Sequence, residues 1–281
     1  MAEIVLEAES LRKVFRLRGR SQGPDEIVAV DDLSFSLAEG ESLAIVGESG
    51  SGKTTLARML VGLERPTSGR ITFAGRDRSS PARTASERRR RGRETQMVFQ
   101  DPYSSLDPRQ TPASSIEEVL QLHFGFNRAT RAARVAELAE QVGLDGRQLN
   151  ALPRRLSGGQ RQRVAIARAL AAEPRVLLLD EAVASLDVSI QAQILNLLAD
   201  IRAATEISYV VISHDLGVVR QITDSSIVMQ RGVVVERGPT ADVLHHPHHP
   251  YTQLLRSSVP GPGWKPVRRD RSAQPADAGA S

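Results

Sequence analysis

The sequence predicts an α/β fold: a mostly parallel sheet with helices on its faces, an antiparallel β lobe and an inserted α-helical subdomain. Three observations predict it. Strand-like apolar runs alternate with helix-like runs through most of the 281 residues, the pattern of a parallel sheet with helices on its faces. Gly47-Glu48-Ser49-Gly50-Ser51-Gly52-Lys53-Thr54 fits the phosphate-loop pattern G-x-x-x-x-G-K-[ST] at every fixed position, with a strand-like run before it and a helix-like run after it. Between Asp101 and Pro153 the periodicity turns helical.

The elements follow in order. Val5–Phe15 and Ile27–Leu37 read as strands of the antiparallel lobe, broken by a polar loop, Arg18–Glu26. Ser42–Val46 is a buried strand and Lys53–Leu60 a helix, with the phosphate loop between them. Pro66-Thr67-Ser68-Gly69 is a turn into the strand Arg70–Phe73. Ala74–Arg93 is polar and Arg-rich and reads as a linker, and Thr95–Phe99 is the next strand. Ser114–His123 and Thr130–Val142 are helices of the inserted subdomain, placed at about 101–165. Arg161–Ala172 is helical, with an apolar stripe at Val164, Ala165, Ile166, Ala169 and Leu170. Val176–Leu179 is a strand, Val188–Ala203 a helix and Ile207–Ser213 a strand; Ser225–Gln230 and Val233–Arg237 form a hairpin around Arg231-Gly232. One domain therefore spans 1–258, with a C-terminal segment at about 232–258. The tail, 259–281, is rich in Pro, Gly, Arg, Asp and Ala, which predicts disorder.

Composition narrows the function. Apolar residues make up 40%, enough for a sizeable core. The chain has no cysteine, which excludes disulfides, thiolate metal sites and Fe–S clusters. No apolar run approaches the roughly 18 residues of a membrane span. Met1-Ala2-Glu3-Ile4 lacks the basic and apolar regions of a secretory signal. The net charge, +4, is mild, but basic residues cluster at Arg88-Arg89-Arg90-Arg91 with Arg93, and at Lys265, Arg268, Arg269 and Arg271.

Several residues carry chemistry. The glycines of the phosphate loop let backbone N–H groups wrap phosphates, Lys53 reaches the β- and γ-phosphates, and the Thr54 hydroxyl binds Mg²⁺. In Leu156-Ser157-Gly158-Gly159-Gln160, Ser157 caps a helix whose N-terminus points at an anion; taken alone, an ordinary Ser-Gly-Gly turn fits equally well. The strand before Asp180-Glu181 delivers two carboxylates at its C-terminal end, where open α/β sheets bind ligands. Asp180 can hold Mg²⁺ through its water shell, and Glu181 can polarise an attacking water; the alternative is a pair of helix-capping acids. Gln100 ends a strand, where its amide can ligate Mg²⁺ or simply be structural. His214 follows Ser213, where it can donate to a γ-phosphate or be a plain surface histidine. Ala184-Ser185-Leu186-Asp187 is a short turn, with Asp187 at a helix N-cap.

Taken together and in this order, these motifs resemble the nucleotide-binding subunits of ABC transporters. The resemblance runs from about Ile4 to Ser258 and implies a P-loop NTPase (RecA-like) core with the lobe and subdomain described above. It assigns catalysis to Glu181, His214 and Gln100, and Mg²⁺ to Thr54, Gln100 and Asp180. It assigns ATP to Phe15 (stacked on adenine), to Gly47, Glu48, Ser49, Gly50, Ser51, Gly52, Lys53, Thr54 and Thr55, and to Ser157, Gly158, Gly159 and Gln160. The last four act across an interface, on the ATP of a second ATPase subunit, of the same or a paralogous chain. The Walker A pattern is shared with many NTPases, whereas the Leu-Ser-Gly-Gly-Gln pentapeptide is highly specific.

A narrower resemblance, to the peptide/nickel uptake branch, rests on Val98–Arg109, Leu186–Leu195 and His249–Leu255. It implies an importer of peptides or a related small solute at the cytoplasmic face of the inner membrane. Two membrane permease subunits would contact the Gln100 region and the helical subdomain, and an extracytoplasmic solute-binding protein would act indirectly. The runner-up is an accessory ATPase of a soluble assembly such as carbon–phosphorus lyase, whose C-terminal pattern is similar; Asp101–Arg109 favours the importer. The chain departs from the family at Ala182, where a proline is usual, and in lacking the cysteines of a C-terminal cluster found in some members. Nucleic acid is not an expected partner: Arg88–Arg93 has no interleaved aromatics. The cluster His245-His246-Pro247-His248-His249 reads as a structural C-terminal segment rather than a metal site.

Overall fold

The computed structural model describes residues 3–16, 26–101 and 105–257. Strand β1 (Ile4–Arg16) pairs antiparallel with β2 (Glu26–Ala38), and both extend a residue or more beyond their expected ends. Strand β3 (Ser42–Val46) is buried along its whole length and leads through the phosphate loop into helix α1 (Lys53–Leu60). Strands β4 (Ser68–Phe73) and β5 (Arg76–Asp77) return to the first sheet, whose order is β2-β1-β4-β5.

The stretch expected as a linker, 74–93, is structured. Besides β5 it holds helix α2 (Ala85–Glu94), which has no buried residue. Such a helix gives no apolar periodicity, and polar contacts hold it instead. Thr84 caps its start by accepting from the Glu87 N–H, and Arg91 pairs with Glu87 at 2.5 Å one turn away. Its last residue, Glu94, pairs with Arg78, a guanidinium buried against the Phe73 ring at 4.0 Å.

Strand β6 (Thr95–Val98) enters the second sheet, and the chain then builds the helical subdomain from α3 (Pro112–His123), α4 (Arg128–Gln141) and the short α5 (Gly146–Asn150). Thr111, Asn127 and Asp145 cap these helices with their side chains. Helix α6 (Gly158–Leu170) starts earlier than Arg161, because Ser157 and its glycines form its first turn. Strand β7 (Val176–Asp180), helix α7 (Val188–Ala204), strand β8 (Ser208–Ser213), helix α8 (Leu216–Ile222) and the hairpin of β9 (Ser225–Gln230) with β10 (Val233–Pro239) complete the core. Helices α9 (Thr240–His245) and α10 (Pro250–Ser257) close the described chain. The short helices α5, α8, α9 and α10 had no separate signal in the sequence. The tail 259–281 and most of the loop 18–26 lie outside the described residues, as do Pro102, Tyr103 and Ser104 of the narrower resemblance.

The second sheet has the order β10-β9-β3-β8-β7-β6, parallel from β9 to β6. Its two faces bury different partners, because successive side chains of a strand point to opposite sides. Val176 and Leu178 face a core shared with α1 and the antiparallel sheet; Leu177 and Leu179 face one shared with the helical subdomain and α7. The ladder sets the site. Val46 lies opposite Ser213, Asp180 opposite Ile212 and Val98 opposite Leu179, so β3, β6, β7 and β8 all end at one edge. The phosphate loop, Gln100, Glu181 and His214 follow those four ends, the position where parallel sheets bind ligands.

Candidate nucleotide site

The phosphate loop is glycine-rich because backbone presses on it from two sides. A Cβ on Gly47 would collide with the Met229 carbonyl of β9, and one on Gly52, at φ +103°, with the Ala29 carbonyl of β2. Gly52 is also the N-cap of α1 and offers no side chain to cap it. The first-turn N–H groups of α1 therefore remain for an anion, and the helix dipole favours one there.

Lys53 is buried, and its Nζ donates to the carbonyls of Gly47 (2.7 Å) and Glu48 (2.8 Å). Burial lowers its pKa, against the opposing charges of Glu181, Asp180 and Glu48. Asp180 is buried too; burial and then the neighbouring Glu181 charge raise its pKa, and Lys53 opposes them. Two adjacent carboxylates compete for one lysine there. A divalent cation fits this arrangement: the Asp180 carboxylate, the Thr54 hydroxyl and the Gln100 amide are the hard oxygen donors that Mg²⁺ takes.

Glu181 sits at φ +48°, a conformation rare for a non-glycine residue and concentrated at functional sites. Its N–H donates to the Ile212 carbonyl at 2.9 Å, and its Oε1 lies 3.1 Å from His214 Nδ1. The turn after it closes without the usual proline: the Ala184 N–H donates to the Glu181 carbonyl (3.0 Å) and the Leu186 N–H to that of Val183 (3.2 Å), with Ala182 buried between. Ser185 Oγ donates to the Gln100 carbonyl at 3.4 Å, tying this turn to the segment after β6. Asp187 does occupy the N-cap of α7, but its side chain makes no capping bond.

A cleft of about 920 Å³ joins these parts. Glu48, Ser49, Gly50, Gly52, Lys53, Thr54 and Thr55 line it with Gln100, Glu181 and His214. Phe15 is outside the lining but pairs with Ile27 across the β1–β2 ladder, and Ile27, Val28 and Ala29 form the apolar wall of the cleft. Lys13 Nζ lies 4.8 Å from the centre of the half-exposed Phe15 ring. The sequence reading missed three contributors. Arg231 and Leu255 line the cleft, and Tyr251 reaches the phosphate loop; each arrives from the C-terminal third, with no local motif to mark it.

Ser157, Gly158, Gly159 and Gln160 do not line this cleft. Ser157 Oγ accepts from the Gln160 N–H (3.2 Å), while the Ser157 N–H donates to Gln160 Oε1 (2.9 Å), a reciprocal capping box. Gly159 has a packing reason for its lack of a side chain: a Cβ there would lie 2.5 Å from Ile190 Cγ2 of α7. In the histidine cluster, Glu236 accepts from the N–H groups of His248 (2.8 Å) and His249 (3.2 Å), and His249 Nδ1 accepts from the Tyr251 N–H (3.2 Å). Among the described residues no three His, Asp or Glu side chains are grouped so as to hold a metal ion.

Comparison with known proteins agrees with this geometry. Residues 30–184 match the family model for the ABC transporter, and residues 235–280 that for the oligopeptide/dipeptide transporter C-terminal region. The chain is 43% identical over 259 residues to the di/tripeptide transport ATP-binding protein DppF of Pseudomonas aeruginosa, covering 92% of this chain and 80% of that one. It is 44% identical over 264 residues to the oligopeptide transport ATP-binding protein AppF of Bacillus subtilis, covering 92% and 79%. Among solved structures, a dimeric ATP-binding cassette in a post-hydrolysis state, bound to ADP and Pi, superposes with a TM-score of 0.74 at 28% identity over 84% of this chain and 98% of that one. The chain therefore belongs to the ABC transporter family as one of its ATP-binding subunits, an ATPase that carries the C-terminal region of the oligopeptide/dipeptide transporters.

Proposed function

We propose that this ATPase powers an importer of peptides or a related small solute by closing two ATP molecules between two ATPase subunits. One observation carries the reading: the phosphate loop, Gln100, Glu181 and His214 share a cleft that Ser157–Gln160 do not enter. A single chain thus covers one side of the nucleotide, and a second subunit, of the same or a paralogous chain, brings its own Ser157 and Gly159 to the other.

Within the cleft, the loop N–H groups and Lys53 bind the β- and γ-phosphates, with Phe15 beside the apolar wall for adenine. Thr54, Gln100 and Asp180 would hold Mg²⁺, which supplies neutralisation of phosphate charge. Glu181 accepts a proton from the attacking water, and His214, 3.1 Å from it, is placed to donate to the γ-phosphate. Release of phosphate removes what the two subunits share, and the interface opens.

The peptide reading rests on the C-terminal match and on relatives whose own names are those of peptide transport proteins, which favours it over an accessory role in a soluble lyase. Among the described residues no helix is long and apolar enough to cross a membrane. By its likeness to transport ATP-binding proteins, the reading puts the chain on the cytoplasmic face of the inner membrane, against two permease subunits, with the solute-binding protein acting through them. Phe99 and Leu122, exposed at 41% and 53%, mark a groove between the segment before Gln100 and α3 that suits such a contact. Affinity purification of the chain from its native membranes tests the assignment. Recovery with permease subunits is expected, and recovery with soluble lyase subunits would sink it.

A further inference from the structure

One peptide plane in the phosphate loop is held at both ends. The Gly47 carbonyl accepts from Lys53 Nζ at 2.7 Å, and the N–H of the same plane, that of Glu48, donates to the Tyr251 hydroxyl at 2.9 Å. Tyr251 lies 203 residues further along the chain, on α10. It is buried against Val228 of β9 and Val243 of α9. Its own position is fixed from behind: Glu236 of β10 accepts the His248 and His249 N–H groups, His249 Nδ1 accepts the Tyr251 N–H, and Gln253 Nε2 donates to the Pro247 carbonyl at 3.0 Å. About one turn on, Leu255 joins the cleft lining.

A planar peptide cannot turn its N–H without turning its C=O. Directing the Glu48 N–H to Tyr251 therefore aims the Gly47 carbonyl back at Lys53, and hydrogen bonds at the two ends of one amide polarise each other. Of the N–H groups that follow, that of Ser51 turns back to the Glu48 carbonyl at 3.2 Å, and those at the start of α1 point toward the phosphate position. We propose that Tyr251 is a positioning residue of the nucleotide site: through the Glu48 N–H it fixes the plane on which Lys53 rests, so the C-terminal segment sets the loop's affinity for ATP. This rests on the ATPase activity of the chain and not on the identity of its cargo.

Tyr251→Phe keeps the ring and deletes the hydroxyl, and Val243→Ala loosens packing beneath the same helix while leaving the hydroxyl in place. The full chain is assayed for steady-state hydrolysis, for ATP affinity by titration calorimetry and for melting temperature without nucleotide. Tyr251→Phe is expected to raise KM and Kd for ATP about three- to tenfold, the worth of one neutral hydrogen bond, with kcat within about twofold of wild type and little change in melting temperature. Val243→Ala is expected to lower the melting temperature and leave KM unchanged. Wild-type KM and Kd in Tyr251→Phe would overturn the inference, as would an equal rise in Val243→Ala, since packing alone would then explain it. A wild-type chain that neither bound nor hydrolysed ATP would instead remove the ATPase reading beneath it.

Discussion

The phosphate loop and the Ser157–Gln160 loop are built from the same residue types and come out opposite. Each places serine and glycines at a helix N-terminus. At the phosphate loop the helix cap is Gly52, with no side chain to satisfy the first turn, and the surrounding chain grips the loop from behind. Met229 and Ala29 press on its glycines, the Gly232 N–H donates to the Ser51 carbonyl at 3.0 Å, and Tyr251 takes the Glu48 N–H. The result is a rigid cradle whose donors face outward into a cleft. At the second loop, Ser157 and Gln160 satisfy each other, and Gly159 is pressed by Ile190. That loop asks nothing of the cleft in its own chain. Glycine in the first case admits neighbouring backbone, and at Gly159 it admits a neighbouring side chain; of the two, only the first loop lines the cleft of its own chain.

The largest expected effect falls on the cleft side. Glu181→Gln keeps shape and the Ala184 turn but removes the carboxylate beside His214. Steady-state hydrolysis should fall by at least about a hundredfold, the usual worth of a general base, while ATP binding persists. Turnover close to wild type would take Glu181 out of its role and leave the cleft without a base.

Ser157→Arg probes the other loop and the comparison itself. Hydrolysis should be blocked, because the arginine obstructs the approach of one subunit to the other. The ATP affinity of the isolated monomer should stay within about twofold, well inside the 1.4 kcal/mol that a tenfold change requires. A large loss of monomer affinity would put the loop on the near side of the nucleotide and erase the distinction between the halves.

The two loops also differ in how far the sequence discloses them. The phosphate loop, β3 and α1 are legible to the residue because motif, buried strand and helix are contiguous. The alternation that predicts a parallel sheet also explains why Gln100, Glu181 and His214 converge, since each follows a strand end. Helix α2 was not legible: nothing in it is buried, and one of the pairs that holds it depends on Arg78, folded beside it from an earlier turn. The reason for Gly159 lies on α7, and the partner of the Glu48 N–H on α10. Spacing along the chain carries no trace of either contact, because both join elements that are distant in sequence and have no shared motif.

Gly159→Ala separates the packing reason from the ligand reason. The added methyl overlaps Ile190 Cγ2, so stability should drop by about 1–3 kcal/mol, as for an overpacked core. Ile190→Ala in the same chain should recover part of that loss, giving a non-additive double-mutant cycle in denaturant unfolding. Additive losses would mean that Gly159 is kept small for the nucleotide and not for α7.

The smallest effect lies at the opposite edge of the same sheet, where the strands begin, away from the nucleotide cleft. There the Asp224 carboxylate accepts from the Ser42 N–H (3.0 Å), from Ser42 Oγ (2.8 Å) and from Arg202, tying the starts of β3 and β9 to the last turn of α7. Burial pushes its pKa up, but the Ser42 hydroxyl, Arg202 and the Ser42 N–H together outweigh burial and hold it below the ordinary carboxylate range. The sign follows from linkage: a depressed native pKa stabilises the fold above the unfolded-state value of about 4, and that contribution disappears as pH falls through the lower native value. Asp224→Asn should therefore flatten the acid limb of the melting-temperature profile below about pH 5 and lower stability modestly at neutral pH. ATP affinity should not change, because the carboxylate lies at the far end of β3 from the phosphate loop. Parallel acid limbs in the two proteins would show that Asp224 contributes no charge-dependent stability, and a shift in ATP affinity would show that the two edges of the sheet are coupled.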